Sequence, residues 1–237
     1  MSKKYLLGVD GGTEGLRAGI FDVFGTPLAF ASTSYPTQFP APSWAEQDPN
    51  DWWYALGKSV RKAISDSGIS VDQIAAIAVD TTCCSVVPLD DSGNPVRPAL
   101  IWMDIRSAEQ AEQMVATEDD ALRINSNGSG PVSAEWMIPK ALWIKQNEPE
   151  NFDRAVTICE YQDYINLHLT GRLGASINNV STRWHCDYSR EGVPKSLLEK
   201  LDLGELAEKW PQEVLQLGEV VGGLTHRAAE HLGLTPD

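Results

Sequence analysis

The segment whose residue types and spacing could do chemistry is Asp-Gly-Gly-Thr-Glu-Gly-Leu-Arg, residues 10–17. The carboxylate of Asp10 is followed by Gly11, Gly12 and the hydroxyl of Thr13. Glycines let backbone N–H groups approach phosphate oxygens, a hydroxyl can donate a hydrogen bond, and a carboxylate can hold a hydrated Mg²⁺. The pattern therefore predicts a site for phosphate and magnesium.

Three alternatives compete with this interpretation. A dinucleotide-binding loop needs Gly-x-Gly-x-x-Gly at the start of a helix. Here the glycines are Gly11, Gly12 and Gly15, and the residues after them alternate as in a strand. The phosphate loop that ends in Gly-Lys-Ser/Thr is absent from this segment. The alternative without function is a tight hairpin turn that carries a surface aspartate.

The elements that must position this loop are predicted from the spacing of apolar residues. Strands are expected at 5–9 and 16–22, and a third extended run at 28–35, so that the loop joins the first two strands of a meander. Asp48 and Pro49 then begin a helix, which Gly68 ends.

Strands and helices alternate after this point. We expect strands at 74–79, 85–89 and 156–158 and helices at 107–116, from Pro139 and at 160–169, with a mostly helical tail at 195–234. This order predicts an α/β fold with a mixed sheet, in which an antiparallel meander continues into parallel strands flanked by helices. One domain is favoured over two.

Composition limits the classes of partner. The 237 residues include 33 acidic and 19 basic side chains, which give a formal net charge of -14. Nucleic acid and anionic membrane surfaces are recognised by basic patches, so neither is expected as a partner. The longest uncharged stretch, residues 23–45, carries four prolines and cannot be a membrane helix.

The cysteines and the N-terminus indicate a cytoplasmic protein. The first residues carry no signal-peptide pattern, because two lysines lead directly into a short strand. The four cysteines are Cys83, Cys84, Cys159 and Cys186, and the adjacent pair is a poor disulfide candidate. Reduced, structural thiols are therefore expected.

Five segments in order resemble one known family. Residues 10–17, placed between two strands, resemble the first phosphate motif of the sugar kinase, heat-shock chaperone and actin superfamily. Within it, residues 44–49, 102–106, 140–144 and 163–171 resemble segments of the FGGY carbohydrate kinases. The resemblance covers about residues 5–188 and implies a ribonuclease H-like/actin-like ATPase lobe.

The resemblance implies an enzyme that uses ATP and Mg²⁺. Members transfer the γ-phosphoryl group to a primary hydroxyl of a ketopentose or polyol, mainly by positioning and by charge stabilisation. By the resemblance, Asp10 would organise the metal, while Gly11, Gly12 and Thr13 would cradle the transferring phosphate. Arg17 would add positive charge beside it.

The resemblance also implies a set of sugar-contacting residues. These are Thr82, Cys83, Asp104, Arg106, Glu135, Trp136 and Arg183. The segments around Thr82, Trp136 and Arg183 resemble the ribulokinase branch most. Two positions depart from the family pattern. Cys83 stands near a position where several members have a charged residue or histidine, and Met137 stands where Pro, Ser or Thr is preferred.

FGGY kinases have two actin-like lobes that bind ATP and sugar in the cleft between them. Residues 1–237 are therefore expected to form the N-terminal, sugar-binding lobe. The catalytic aspartate and the ATP-binding C-terminal lobe would lie beyond Asp237, so this chain alone is expected to be inactive. The expected partners are a small sugar or polyol and that second lobe. A homodimer stays open.

Two further function classes stay open. One is a non-catalytic module that binds sugar or pairs with a separate lobe. The other is a different actin-like ATPase, for instance of the chaperone type. Within the kinase hypothesis, ribulose is favoured over xylulose and xylitol by the segments that contain Trp136 and Arg183.

Overall fold

The predicted phosphate loop lies on a mixed sheet. The computed structural model describes residues 4–125 and 131–236. Its first strands are β1 (Tyr5–Gly11), β2 (Gly15–Asp22) and β3 (Pro27–Ser34), which form an antiparallel meander. A later strand, β5 (Ile74–Thr81), pairs in parallel with β1, so that the strand order is β3-β2-β1-β5.

A second, separate sheet is antiparallel. It consists of β4 (Glu46–Gln47), β7 (Ala99–Leu100), β6 (Val86–Leu89) and β8 (Thr157–Glu160), in that spatial order. Two short strands, β9 (Ala175–Ser176) and β10 (Val214–Leu215), pair in parallel with each other.

Helices connect and cover these sheets. They are α1 (Pro49–Ser67), α2 (Ala108–Ala116), α3 (Met137–Asn147), α4 (Pro149–Arg154), α5 (Tyr161–Thr170), α6 (Ile177–Arg183), α7 (Lys195–Lys200), α8 (Leu206–Lys209) and α9 (His226–Leu232). Short 3₁₀ turns occupy Val71–Gln73 and Asp120–Ile124.

The first helix forms where its end signals predict. The Asp48 carboxylate caps α1 by accepting from the Asn50 N–H at 2.9 Å, and Pro49 is its first residue. Gly68 ends it in the left-handed region at φ 68°, a conformation that costs glycine little. The residues that α1 buries include Trp52, Leu56, Val60 and Ala63, which pack against β2 and β3.

The apolar core consists of two clusters. One lies between the first sheet and α1, α5 and α9, and contains Leu16, Ile20 and Trp52. The other surrounds α3 and the later helices, and contains Leu142 and Trp184. Burial of these side chains supplies most of the favourable free energy of folding.

The predicted α/β architecture with a mixed sheet is confirmed. The prediction of a mostly helical tail was wrong, because α7, α8 and α9 are short and residues 210–225 contain no helix. Pro211 and the pair Gly222-Gly223 interrupt that stretch, and both residue types disfavour helix interiors. Helix α3 begins two residues before Pro139, which its first turn tolerates because the N–H that proline lacks would be unpaired there.

All four cysteines are free thiols. In the part of the chain that the structure describes, no helix has both the length and the apolar character needed to cross a membrane.

Candidate functional site

The turn between β1 and β2 carries the predicted phosphate residues. Gly12 donates its N–H to the Gly15 carbonyl at 3.1 Å, which closes the turn. Asp10 pairs in register with Arg17 on β2, and their side chains form an ion pair of 3.4 Å. The Asp10 and Arg17 side chains are 52% and 65% exposed, so a ligand can reach both charges.

Three side chains from outside the turn hold it in place. The Trp102 indole N–H donates to Thr13 Oγ1 at 2.9 Å, and Gln47 Nε2 donates to the Thr13 carbonyl at 2.7 Å. The Tyr35 hydroxyl donates to the Gly12 carbonyl. These contacts fix both main-chain and side-chain atoms of the turn, so the turn is held in shape before any ligand binds.

Gly11 also has a packing role that the sequence did not predict. A Cβ at this position would lie 2.8 Å from Cζ of Tyr161, which is the first residue of α5. The Tyr161 ring in turn stacks on Trp52 with ring centroids 3.8 Å apart. Gly11 is therefore required for close packing of α5 beneath the turn, whatever contact it makes with phosphate.

The donor set at the turn fits a metal-bound phosphate. An adjoining cavity of about 490 Å³ is lined by Thr13, Glu14, Gly15, Arg17, Ser32, Thr33, Ser34 and Trp102. Arg17 and several hydroxyls suit an anion, while Asp10 supplies one carboxylate beside it. Among the described residues no group of three His, Cys, Asp or Glu side chains could hold a metal ion. Mg²⁺ is commonly bound by one or two carboxylates together with substrate phosphates and water, which matches this arrangement.

The end of β5 brings Thr82 and Cys83 to the phosphate turn. Thr82 donates its N–H to the Gly11 carbonyl at 2.9 Å, which extends the pairing with β1 by one residue. Cys83 is half-buried and lines a groove of about 730 Å³, together with Asp80 and Thr81. The predicted phosphate turn and the segment of Thr82 and Cys83 therefore adjoin at the same end of the first sheet.

Two of the other predicted sugar residues join Cys83. Arg183, the last residue of α6, is close enough to the Cys83 thiol for its positive charge to lower the pKa of that thiol. The Arg183 guanidinium carbon lies 6.0 Å from the Trp136 ring centroid, and that ring lies 5.2 Å from His185. Glu135 precedes Trp136, and its N–H donates to the Ser133 hydroxyl at 3.2 Å. Cys83, Arg183 and Trp136 thus lie near one another.

Two buried charged residues, Glu160 and Lys140, contact the backbone of Cys84, the neighbour of Cys83. Glu160 accepts the Cys84 N–H at 2.7 Å and the Trp184 indole N–H at 3.0 Å. Lys140 donates to the carbonyls of Cys84 at 2.8 Å and Ile101 at 2.7 Å. Burial raises the pKa of the Glu160 carboxyl to about 7 and lowers the pKa of the Lys140 ammonium to about 8.

Asp104 and Arg106 occupy a different environment from Cys83 and Arg183. Both side chains are 0% exposed, and Arg106 Nε lies 3.0 and 2.9 Å from the two Asp104 oxygens. Arg106 also pairs with Glu46 at 2.8 Å and stacks between the rings of Trp44 and Trp143 at 3.7 and 4.8 Å. Protein atoms therefore enclose both side chains. The sugar contact expected of Asp104 and Arg106 stays a prediction.

Sequence reasoning did not select Trp102, Lys140 or Glu160 as site residues. Trp102 belongs to the Trp-x-Asp-x-Arg segment, so its type and position were visible, but its contact with Thr13 was not. Lys140 stands alone in the apolar run Met-Ile-Pro-Lys-Ala-Leu-Trp-Ile, and a lone lysine in such a run is a signal of a buried, paired cation.

Residues 5–237 match the family model described as the FGGY family of carbohydrate kinases, N-terminal domain. The chain belongs to the FGGY family of carbohydrate kinases. The resemblance drawn from the five segments is therefore confirmed at the level of the family.

Relatives of this chain carry two different substrate names. It is 26% identical to a xylulose kinase of Staphylococcus epidermidis over 100% of this chain and 46% of the relative. It is 30% identical to a ribulokinase of Shouchella clausii over 99% of this chain and 46% of the relative. The chain thus spans about half the length of these relatives, and the two identities do not separate the ribulokinase branch from the xylulose kinases.

A solved structure supports the fold assignment. The chain matches the crystal structure of a xylulose kinase from Rhodospirillum rubrum with a TM-score of 0.86 at 25% identity, over 98% of this chain and 48% of that one. The predicted actin-like ATPase fold is confirmed by this likeness together with the observed mixed sheet and flanking helices.

Proposed function

We propose that this chain is the N-terminal, sugar-binding lobe of an ATP-dependent kinase that phosphorylates a primary hydroxyl of a ketopentose or a related polyol. The observation that carries the proposal is the exposed Asp10–Arg17 pair on a turn held by Tyr35, Gln47 and Trp102. Charge placed on a rigid turn is what phosphoryl transfer requires, because the reaction depends on positioning and electrostatic stabilisation.

Four residues would act on the phosphate side. Bound MgATP would supply the γ-phosphoryl group and a metal charge that offsets the charge of its oxygens. Asp10 would hold the metal directly or through water. Trp102 donates to Thr13 Oγ1, which leaves the Thr13 hydroxyl hydrogen free to donate to a phosphate oxygen. Arg17, released from Asp10, would place its guanidinium beside the same oxygens.

Three residues would act on the sugar side. Arg183 carries several N–H donors that suit sugar hydroxyls, and the Trp136 ring offers an apolar face to carbon-bound hydrogens. Cys83 lies between Arg183 and the phosphate turn, where the reacting end of a sugar would stand. We favour ribulose over xylulose on the segments around Thr82, Trp136 and Arg183, which resemble ribulokinases.

The proton of the reacting hydroxyl needs a base. The family resemblance assigns this role to an aspartate of the C-terminal half. That half would also bind the nucleotide. We therefore expect sugar-dependent ADP release only from a protein in which this chain is joined to that half. The chain by itself should show no release above the buffer background, and turnover by it alone would contradict the proposal.

An ATP-coupled assay of the full-length protein tests the function. The panel contains D-ribulose, L-ribulose, D-xylulose, pentitols and glycerol at equal concentrations. One preferred ketopentose would support the proposal and name the substrate. ATP hydrolysis that no sugar accelerates would favour a different actin-like ATPase. Sugar binding in calorimetry without turnover would favour a non-catalytic binding module.

A further inference from the structure

We propose that Cys83 is a peroxide-reactive cysteine, and that Cys84 and Arg183 activate its sulfur. The four thiols differ in access. Cys83 is half-buried and faces the groove of about 730 Å³, whereas Cys84, Cys159 and Cys186 are 4%, 0% and 1% exposed. Cys83 is thus the thiol that a small solute can reach, and neither this proposal nor its test depends on the proposed kinase activity.

The backbone of Cys84 places its thiol against Cys83. Cys84 Sγ donates to Cys83 Sγ across 3.7 Å. Cys84 lies in the left-handed region at φ 64°, which is uncommon for a residue with a side chain. Glu160 accepts its N–H and Lys140 donates to its carbonyl, at 2.7 and 2.8 Å. Two buried charged side chains therefore hold Cys84 in this conformation.

A hydrogen bond and a nearby charge favour the thiolate of Cys83. The hydrogen bond from Cys84 is the largest cause that lowers the pKa of Cys83 to about 5. Burial opposes this effect, and the positive charge of Arg183 acts in the same direction as Cys84. Glu160 faces the pair and its negative charge opposes ionisation, while Lys140 lies beneath Cys84 with a positive charge. The thiolate, rather than the thiol, is the nucleophile of cysteine.

The reaction with hydrogen peroxide is balanced as follows. The Cys83 thiolate attacks one peroxide oxygen, a sulfur–oxygen bond forms and the oxygen–oxygen bond breaks. Sulfur loses two electrons to the peroxide, and the hydroxide that leaves takes a proton to become water. The product is a sulfenic acid, the first reversible step of cysteine oxidation.

The sulfenic acid should persist long enough to be trapped. Consecutive Cα atoms are about 3.8 Å apart, which is below the roughly 4.4–6.8 Å that disulfides usually span. Condensation with Cys84 would therefore strain the chain. Cys159 and Cys186 are buried, so neither presents an exposed thiol with which the sulfenic acid could condense.

The test measures oxidation of the folded chain of 237 residues. The protein is treated with equimolar hydrogen peroxide between pH 6.0 and 7.5, catalase stops the reaction, and dimedone at one fixed pH traps sulfenic acid for tandem mass spectrometry. We expect an adduct on Cys83 and a rate that changes less than about twofold over this range. A thiol with an ordinary pKa of about 8.5 would instead react about 30-fold faster at the upper pH.

Variants distinguish a Cys83 thiol that its neighbours activate from one that is only exposed. Cys83→Ser should abolish the adduct. Cys84→Ala and Arg183→Gln should each make the rate rise at least about fivefold from pH 6.0 to 7.5. Cys84→Ser keeps an O–H donor and should retain the flat profile, and Arg172→Gln, at an exposed arginine paired with Glu213, should do the same.

Two outcomes would overturn the proposal. One is the absence of a dimedone adduct on Cys83 in folded protein. The other is a wild-type rate that rises about 30-fold with pH, since Cys83 would then be an ordinary exposed thiol. Far-ultraviolet circular dichroism of each variant ensures that the comparison is made between folded proteins.

Discussion

At the scale of single residues, exposure separates the charges proposed to bind ligand from the structural ones. Asp10 and Arg17 pair at 3.4 Å with more than half of each side chain exposed. Such a pair contributes roughly 0–1 kcal/mol to stability, because water screens it. Its two charges can therefore be exchanged for a phosphate and a metal at little cost.

Replacing Asp10 should remove activity while leaving the fold intact. In the full-length protein, Asp10→Asn should lower kcat by at least about 100-fold, because one preorganised charge at the transferring group is lost. Its urea midpoint should stay that of the wild type. Asp66→Asn, at an exposed aspartate paired with Lys62, is the matched control and should keep full activity. Retained activity in Asp10→Asn would argue against its role.

His185 should make stability fall in mild acid. Burial lowers its pKa to about 4, and Asn125 Nδ2 lies 3.2 Å from Nε2, which suits a neutral ring that accepts there. The folded pKa is below the unfolded value of about 6.5. As pH falls from 7 to 5, His185 therefore becomes protonated in the unfolded chain but stays mostly neutral in the native chain. This difference lowers the free energy of unfolding by about 2 kcal/mol.

Urea unfolding at pH 7.0 and 5.0 measures this loss of stability on acidification. His185→Asn should lose less stability on acidification than the wild type, by about 2 kcal/mol. His226→Asn, at an exposed histidine, is the control and should keep the wild-type difference. Equal pH dependence in His185→Asn and wild type would show that His185 is not the buried neutral group.

At the scale of elements, a buried ion network joins β4 to the segment after β7. Asp104 accepts the Ala45 N–H at 2.6 Å, and Glu46 accepts from Arg106 at 2.8 Å and from Arg97 at 2.6 Å. Arg97 also pairs with Glu148, next to α4, at 2.8 Å. The segment that carries Trp102 to the phosphate turn is therefore anchored by buried charges at its far end.

We expect Arg106 to contribute mainly to the stability of the fold. Arg106→Met leaves Asp104 and Glu46 with less compensation in a dry environment, and loss of one partner of a buried pair costs roughly 3–5 kcal/mol. Thermal unfolding measures this. Arg172→Met, which breaks the exposed pair with Glu213, should cost about 1 kcal/mol or less. An Arg106→Met protein of wild-type stability with a raised KM for sugar would favour the substrate role instead.

At the scale of the whole molecule, Lys140 connects separate parts of the structure. It projects from α3 and donates to the carbonyls of Cys84, before β6, and Ile101, after β7. Glu160, at the end of β8, is close enough for its charge to raise the pKa of Lys140 against the effect of burial. One side chain thus ties a helix of one core cluster to three strands of the second sheet.

Lys140→Met should destabilise the whole chain. The substitution leaves two carbonyls without their donor and removes the charge that partly compensates Glu160, so we expect a loss of roughly 3–5 kcal/mol in urea unfolding. Adding Glu160→Gln should restore part of this loss, because the carboxyl would no longer ionise in a buried site. Lys62→Met, at an exposed i,i+4 pair, should cost less than about 0.5 kcal/mol. Additive losses in the double variant would contradict the coupling.

The sequence by itself determined what depends on neighbours in the chain. The capped ends of α1 at Asp48 and Gly68 and the hairpin at residues 10–17 lie where local patterns predict them. Turn and cap chemistry act within a few residues, so one sequence is sufficient to predict them. The ordered segments were likewise sufficient to indicate the FGGY family. The prediction of a helical tail was wrong because Pro211 and Gly222 interrupt the apolar spacing on which it was based.

Only the tertiary structure decided which side chains meet and which are buried. Trp102 reaches Thr13 across 89 residues of sequence, and Glu160 reaches Cys84 across 76. Arg106 is enclosed although its type is typical of surfaces and binding sites. These outcomes depend on how the two sheets and α3 pack, because long-range contacts are set by the topology of the whole chain and no short segment encodes them.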